Sequence, residues 1–424
     1  MKDYLNRLNK ELIGLIILAK DIASIHDFPV YLVGGFVRDL ILGVKNLDLD
    51  IVVEGDGITF AEDFAAKLKA GLIRHRRFKT ATVTINPVLK VDIATARKEF
   101  YPQPASLPIV SSGTLKDDLF RRDFTINAMA ISIVKKDFGR LIDFFGGLDA
   151  LRNKEIRILH NLSFIDDPTR ILRAIRFEKR YNFKFEAETL KMLKEAVRLK
   201  MLEDVGEQRL RDEIILILKE EHPVKQIRRI QELTGFGFIR PSLSLSEKNF
   251  KLLSFIESEI GWFKKEYPQR RPLEAWLIYF MGLIDPLIMR EVQRICERFA
   301  FQRKEKKNIL AYKKINQSFI YQLSKPKIKP YDIFRLLEVL TYEIILLLKS
   351  KYKNLNFQKN IKKFLEDYDG TRLYINGNDL VEVGIATGPD YQRILNNVLE
   401  AKLNGKVKTK KEELALIKQI KAVK

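Results

Sequence analysis

The distribution of secondary-structure signals along the chain is the feature that most limits its fold. Before about residue 145, short runs rich in β-branched and aromatic residues alternate with glycines and with helical patterns such as Phe36 to Leu42 and Thr59 to Lys69. From about Ala150 almost to the end, apolar residues recur every three to four positions, as in Pro168 to Tyr181 and Ile333 to Lys349. We therefore expect an α+β fold, in which a head built on a small mixed sheet is followed by a helical remainder.

The charge balance indicates the class of partner. The chain has 424 residues and a formal net charge of +21, which favours a polyanion such as nucleic acid, although a lysine-rich surface kept for solubility is the alternative. Its one cysteine, Cys296, excludes an internal disulfide and is typical of a reducing cytoplasm. The apolar runs Leu12 to Ala19 and Ala275 to Ile284 are too short to span a membrane, so we expect a cytoplasmic protein.

A paired glycine stands where the first strand of the head meets a helix. Tyr31 to Val33 has strand character, and Gly34 and Gly35 precede a helix that contains Arg38. Two glycines before a helix N-terminus allow backbone amides to approach a phosphate closely, and the helix dipole favours the negative charge there. Taken alone, the same pattern also suits an ordinary tight turn.

Three aspartates of the head form a candidate metal site. Asp48 and Asp50 are two residues apart at the start of an apolar strand, so their carboxylates point to the same face. Asp92, in another strand, can supply a third carboxylate from a neighbouring position. Like charges this close repel unless a cation lies between them, and Mg²⁺ prefers oxygen ligands together with substrate phosphates. Two such metals activate an attacking hydroxyl and stabilise leaving pyrophosphate.

These residues resemble a known family. The match begins with Gly34 to Asp39 followed by Asp48-Leu49-Asp50, which is similar to the first signature of the polymerase-β-like nucleotidyltransferases. It continues with segments similar to the other motifs of the class II tRNA nucleotidyltransferase and bacterial poly(A) polymerase family: Arg121 to Ala130, Ile142 to Gly147, Asp166 to Phe177, and near the end Asn376 to Leu380, Gly388-Pro389 and Ile394-Leu395. One position departs from the family pattern, since Asp166 stands where a glutamate is usual.

The resemblance implies an architecture and an activity. The expected parts are a catalytic head at 1–145, a neck that selects the base at 146–225, a body at 226–345 and a tRNA-binding tail at 346–424. The implied reaction adds C and A residues from CTP and ATP to the 3′ end of tRNA with Mg²⁺ and without a template. Arg122 and Asp123 would hold the incoming ribose and phosphates, Asn127 would support them, and Arg173 would help to hold the nucleotide.

Asp167 and Arg170 are the candidate base-selecting pair. They are three residues apart at a helix start, hence on one face. An aspartate accepts and an arginine donates hydrogen bonds, which matches the amino group and ring nitrogen of cytosine and adenine and mismatches uracil and guanine. Such a mismatch discriminates by roughly 10⁴-fold. The alternative is structural: Asp167 before Pro168 is also a good helix cap.

The RNA-binding region is predicted in the helical half. Residues 301–364 carry sixteen Lys or Arg and four Asp or Glu, which accounts for +12 of the total charge. Lysines there, such as Lys306, Lys307, Lys313 and Lys314, suit phosphate contacts to the acceptor and T arms of tRNA, although a solvated lysine face is the alternative. The oligomeric state stays open. Addition of CC only, addition of A only, and poly(A) tailing remain alternatives on the same chemistry.

Overall fold

The computed structural model describes residues 4–44, 48–385, 388 and 390–422. Pro389, the second residue of the tail dipeptide Gly388-Pro389, lies outside them. The chain forms two compact units, one of residues 1–220 and 225–238 and the other of residues 221–224 and 239–424. Within the described residues, every helix is either too short or too polar to cross a lipid bilayer.

The first unit contains all the strands that the structure describes. In chain order they are β1 (Val30–Val33), β2 (Leu49–Val53), β3 (Gly71–His75), β4 (Thr80–Thr84), β5 (Lys90–Thr95), β6 (Arg97–Phe100), β7 (Ile109–Ser112), β8 (Met129–Ser132), β9 (Leu141–Asp143), β10 (Glu155–Ile156) and β11 (Lys184–Phe185). Seven of them form one sheet in the order β3-β4-β5-β2-β1-β8-β9, in which only β2 and β5 pair in parallel. The predicted small mixed sheet is therefore confirmed.

The helices follow the predicted change of pattern. The head and the segment after it contain α1 (Lys10–His26), α2 (Gly34–Leu42), α3 (Gly57–Leu68), α4 (Leu115–Phe120), α5 (Gly147–Arg152), α6 (Ser163–Asp166), α7 (Thr169–Tyr181), α8 (Ala187–Arg198), α9 (Glu207–Leu218) and α10 (Pro223–Leu233). Single 3-10 turns lie at Leu5–Arg7, Arg76–Phe78, Thr125–Asn127, Lys135–Asp137 and Met201–Asp204. The segment after the head is predominantly helical, with β10 and β11 as its one short parallel pair among the described residues.

Helices alone make up the regular structure described in the second unit. They are α11 (Glu247–Glu266), α12 (Ala275–Leu283), α13 (Met289–Arg298), α14 (Arg303–Lys314), α15 (Gln317–Leu323), α16 (Pro330–Leu337), α17 (Tyr342–Lys351), α18 (Leu355–Lys363), α19 (Gly377–Glu382), α20 (Asp390–Leu403) and α21 (Lys410–Ala422), with a π-helical turn at Phe364–Tyr368. The α+β fold class is confirmed.

Local side-chain caps set the entries into the elements that carry the site. Asp56 accepts hydrogen bonds from the first amides of α3, which buries Phe60 and Phe64 against the sheet. Asn86 closes the turn between β4 and β5 by accepting from the amides of Val88 and Leu89. Both devices fix the register of the strands on which the carboxylates lie.

One predicted helix is wrong. Ile333 to Lys349 was expected as a single helix, but α16 ends at Leu337 and α17 begins at Tyr342. The break places Glu343 in the interior, where its two carboxylate oxygens accept from Arg271 at 2.8 and 2.6 Å and from the amide of Glu274. The apolar spacing continues across the break, so periodicity alone does not show it.

Candidate active site

The three aspartates lie at one end of the central strands. Asp50 on β2 is the register partner of Asp92 on β5, and β2 and β5 are parallel, so the two carboxylates stand side by side on one face. Asp48 immediately precedes β2 and is exposed. Thr82, the partner of Asp92 on β4, donates its hydroxyl to Asp92 Oδ1 at 2.6 Å. The structure thus brings together the carboxylates that the sequence pattern selected.

Asp50 is the aspartate of this group whose pKa is raised. Burial raises the pKa of Asp50 to about 6, the Arg122 guanidinium opposes that shift, and the neighbouring carboxylates of Asp92 and Asp48 add to it. A carboxyl group that resists ionisation because it is buried and has like-charged neighbours is stabilised as a carboxylate by a nearby cation.

Gly34 is required by a close approach of Arg122. Its φ is +71°, a backbone conformation that favours glycine, and a Cβ built on it would lie 2.5 Å from Nη1 of Arg122. Arg122 also donates to Asp118 at 2.9 Å, while its buried Nε has no hydrogen-bond partner among the described residues. Gly35 follows in the first turn of α2, where no side chain caps the helix. Both glycines therefore keep backbone amides and Arg122 close to the carboxylates.

Arg38 is buried and its charge is largely compensated. Its guanidinium donates to both oxygens of Asp39 at 2.8 and 3.0 Å and to Oδ1 of Asn127. The rings of Phe177 and Tyr181 lie beside it, with the guanidinium carbon 5.3 and 4.8 Å from their centroids. Arg38 therefore supports Asn127 and joins α2 to α7, as well as bordering the cavity described below.

Asp123 is the centre of a buried ion pair. Its Oδ1 accepts from Asn127 at 2.8 Å, and its Oδ2 accepts from Nε and Nη2 of Arg173 at 2.9 and 2.5 Å. Burial alone would raise the pKa of Asp123, but the Arg173 guanidinium and the Asn127 amide lower it to about 2. Arg173 also donates to Glu213 on α9 at 3.1 Å. Four of the predicted nucleotide-binding residues therefore form one hydrogen-bonded network across the head and α7: Arg38, Asn127, Asp123 and Arg173.

Asp167 and Arg170 border the same cavity, and their side chains do not bond to each other, although the backbone amide of Arg170 donates to the backbone carbonyl of Asp167 at 3.0 Å. Arg170 donates to Ser163 Oγ and to the backbone carbonyl of Arg121, both at 2.7 Å. Asp167 Oδ1 accepts from Thr169 and from Arg209 Nη2, the latter at 2.7 Å, and its Oδ2 accepts no hydrogen bond from the described residues. Asp167 therefore accepts from the first amide of α7, although the N-cap position itself falls at Pro168, and one carboxylate oxygen is left for another partner.

These groups surround one cavity of about 750 Å³. Its walls include eight arginines and eight acidic residues: Arg38, Arg121, Arg122, Arg170, Arg173, Arg176, Arg180 and Arg209, with Asp39, Asp48, Asp50, Glu99, Asp123, Asp167, Asp212 and Glu213. Such a volume suits a nucleoside triphosphate, and the opposing charges keep the guanidinium groups oriented.

Part of this cavity wall was not predicted from the sequence. Arg176 and Arg180 repeat the three-to-four-residue spacing of Arg170 and Arg173, so the helical period could have identified them. Arg209 on α9 gave no comparable signal, because its role depends on a tertiary contact with Asp167.

A second cavity of about 330 Å³ adjoins the first along the sheet. The two cavities share Asp50, Arg121 and Arg122. The second is lined in addition by Thr80, Thr82 and Asp92 and by small apolar residues of the strands. The carboxylates therefore lie where two ligands can meet.

The donor set suits a divalent cation. Among the described residues, no group of three or more histidine, cysteine or acidic side chains is arranged to enclose a metal ion. Mg²⁺ at a nucleotide site needs no such enclosure, since it usually takes one or two carboxylates and completes its shell with phosphate oxygens and water. Asp48 and Asp50, with Asp92 beside them, have the required oxygen chemistry.

The four predicted RNA-binding lysines differ in their surroundings. Lys307 and Lys314 are exposed and two helical turns apart on α14. Lys306 lies 3.8 Å from Glu297, and Lys313 donates to the backbone carbonyl of Asp285 at 3.2 Å. On this geometry, Lys307 and Lys314 have the side chains better placed to reach a ligand.

Comparisons with known proteins agree with this site. Residues 30–157 match the family described as the poly A polymerase head domain. The chain is 36% identical over 409 residues to an A-adding tRNA nucleotidyltransferase of Geobacter sulfurreducens, covering 95% of this chain and 46% of the relative. A solved structure of a CCA-adding enzyme in apo form II matches with a TM-score of 0.80 at 34% identity, covering 100% of this chain and 98% of that one. The Thermotoga maritima CCA-adding enzyme complexed with tRNA_CCA matches at 0.75 and 33%, covering 99% and 98%.

The fold and the site together define the class of protein. The chain belongs to the class II tRNA nucleotidyltransferase and bacterial poly(A) polymerase family. It spans between 40% and 58% of the length of four curated relatives that it matches.

The buried ion pair gives a test of how the site is held. Arg173→Met leaves the Asp123 carboxylate buried without its cation, so we expect a loss of about 3–5 kcal/mol of stability at pH 7. In the wild type the lowered pKa of Asp123 gives a stabilisation that is complete at neutral pH and is lost only as the pH falls through the folded value of about 2. In the variant the pKa of Asp123 rises, so the deficit should shrink between pH 7 and pH 5. Thermal unfolding at both pH values measures it.

Arg180→Met is the matched control, because Arg180 is more exposed and pairs with Glu220 at 3.0 Å on the outer part of the same helix. A deficit for Arg173→Met that equals the control, or that does not change with pH, would contradict the assigned role.

Proposed function

We propose that this protein is a tRNA nucleotidyltransferase that adds C and A residues from CTP and ATP to the tRNA 3′ end without a nucleic-acid template. The observation that carries the proposal is that one cavity is bordered by both the Asp48–Asp50 carboxylates and the Asp167–Arg170 pair. A nucleotide in it would have its phosphates at the first set and its base at the second. The A-adding relative and the tRNA-bound CCA-adding structure support the choice of RNA substrate.

Base selection follows from the hydrogen-bonding capacity of the pair. A guanidinium group has five N–H donors. Arg170 uses two of them to bond Ser163 and Arg121, so others remain for a ring nitrogen of the base. Asp167 retains Oδ2 as an acceptor for an exocyclic amino group. Cytosine and adenine offer this donor and acceptor pair, whereas uracil and guanine leave buried groups unpaired.

Catalysis is assigned to the carboxylate end. Asp48 and Asp50 would hold Mg²⁺, which when bound supplies activation of the 3′-hydroxyl and charge neutralisation at the leaving pyrophosphate. Asp92, which accepts from Thr82, would lie beside the attacking hydroxyl. Arg122 lies against Gly34 and so is available to a triphosphate, while Asp123 orients Arg173 toward the nucleotide.

Partial activity is the second candidate function. The relative from Geobacter sulfurreducens is named as A-adding, whereas two solved structures that the chain covers over 98% of their length are named as CCA-adding. Both activities use the same two bases, so the Asp167–Arg170 pair does not separate them. Addition of CC only and poly(A) tailing use the same chemistry as well.

Product length separates these possibilities. The protein would be incubated with tRNA that lacks CCA, tRNA that ends in C and tRNA that ends in CC, each with CTP, ATP or both. Complete CCA addition predicts one to three added nucleotides that end at the same A. Extension of only the CC-ended tRNA by ATP would establish an A-adding enzyme, and a long heterogeneous product a poly(A) polymerase.

The metal assignment predicts a separation of catalysis from binding. Asp48→Asn and Asp50→Asn each remove one ligand charge, so turnover should fall by several orders of magnitude while RNA affinity is retained. Asp149→Asn, an exposed aspartate of α5, is the control. An Asp48→Asn or Asp50→Asn protein that keeps more than a tenth of wild-type turnover would rule out the assignment.

A further inference from the structure

The turn between β3 and β4 carries a concentration of positive charge that no step of the proposed reaction has used. It consists of Arg74, His75, Arg76, Arg77, Phe78 and Lys79, which are all exposed, and we call it the basic turn. Its 3-10 turn at Arg76–Phe78 ends at Lys79, whose backbone is left-handed. The backbone carbonyl of Lys79 accepts from the amide of Thr95 at 3.0 Å, so the turn is attached to β5.

Two of its cations are already engaged and two are not. Arg74 forms an ion pair with Glu62 at 2.6 Å, and Lys79 donates to Ser112 at 3.0 Å. Arg76 and Arg77 make no ion pair with an acidic residue in the part of the chain that the structure describes, although Arg77 stacks over the ring of Phe78. Exposed arginines held on a fixed turn and left without acidic partners suit an external anion.

The basic turn leads directly to the second cavity. β4 starts at Thr80, the next residue after the turn, and Thr80 and Thr82 line that cavity beside Asp92. From Arg77 to Thr82 is five residues, which span at most about 17 Å because the first of them lie in the turn and are not extended. That length corresponds to a few nucleotides of RNA, so the turn lies within reach of phosphates just upstream of a 3′ end placed at Asp92.

The geometry of the transfer indicates which substrate passes there. The attacking and leaving oxygens of phosphoryl-type transfer are roughly in line, so the attacking hydroxyl approaches from the side opposite the leaving pyrophosphate. The larger cavity contains the base-selecting pair and would take the incoming nucleotide, which leaves the second cavity for the terminal nucleotide of the acceptor. The two cavities meet at Asp50.

We propose that the basic turn binds the phosphodiester backbone of the single-stranded 3′ end of the RNA acceptor, through Arg76 and Arg77, and guides it along β4 to Asp92. The exposed ring of Phe78 offers a surface on which a base can stack. This inference rests on the proposed function for the identity of the acceptor, but it concerns binding and can be measured without nucleotide transfer.

The test uses RNA affinity measured by fluorescence anisotropy at several salt concentrations. The two probes are an RNA hairpin with a short single-stranded 3′ extension and the same hairpin with a blunt end. The proteins are the wild type, Arg76→Gln/Arg77→Gln, Arg76→Lys/Arg77→Lys, and Lys135→Gln/Lys136→Gln. The last removes two exposed cations from the turn between β8 and β9, at the opposite edge of the same sheet.

We expect the glutamine variant of the basic turn to lose affinity several-fold for the extended hairpin only. Its salt dependence should weaken by about 1.4 in the logarithmic slope, since two single-strand phosphate contacts are lost. The lysine variant should keep most of the slope, and the control variant should match the wild type. Unchanged affinity, or equal losses on the extended and blunt hairpins, would overturn the proposal.

Nucleotide transfer, measured in parallel, separates this inference from the proposed function. If the wild type binds the extended hairpin through the basic turn but adds no nucleotide, the proposed activity is rejected and the proposed binding site is supported. The opposite outcome is that the wild type extends RNA normally and that kcat and the KM for RNA are unchanged in the glutamine variant. That outcome would reject the proposed binding site and support the proposed activity.

Discussion

The Asp123–Arg173 ion pair is the interaction on which the rest of the site depends. It joins the head, through the turn after α4, to α7, the helix that carries Arg170. A buried pair of this kind is costly to desolvate and costly to break, so it adds specificity more than net stability. Because Asp123 also binds Asn127 and Arg173 also binds Glu213, the pair connects four side chains that line the cavity.

The positively and negatively charged side chains that line the cavity are equal in number. Its guanidinium groups are held by carboxylates, so they are oriented before a nucleotide arrives and lose little freedom on binding. The excess of positive charge lies on other parts of the chain, including residues 301–364 and the basic turn. On the proposed function, RNA would be attracted by net charge on those parts, whereas the base would be selected by directed hydrogen bonds in the cavity.

Much of the site follows from sequence because its residues are local. The alternation of a strand places Asp48 and Asp50 on one face, and the helical spacing places Asp167 near Arg170. The register that sets Asp92 beside Asp50, the contact of Arg209 with Asp167, and the compensation of Arg38 by Asp39 and Asn127 depend on tertiary packing. The break between α16 and α17 has the same origin, since the buried Glu343 that it accommodates finds Arg271 far away in the sequence.

The most direct test of the central claim is the rate of the first nucleotide addition when each of CTP, ATP, UTP and GTP is offered singly to the wild type and to Arg170→Met. The account predicts that the wild type prefers its cognate nucleotide, C or A, over U and G by about 10⁴-fold or more. It also predicts that Arg170→Met loses most of this preference, whereas Arg180→Met on the same helix keeps it. Wild-type addition of U or G within tenfold of C and A, or an unchanged preference in Arg170→Met, would contradict selection by the Asp167–Arg170 pair.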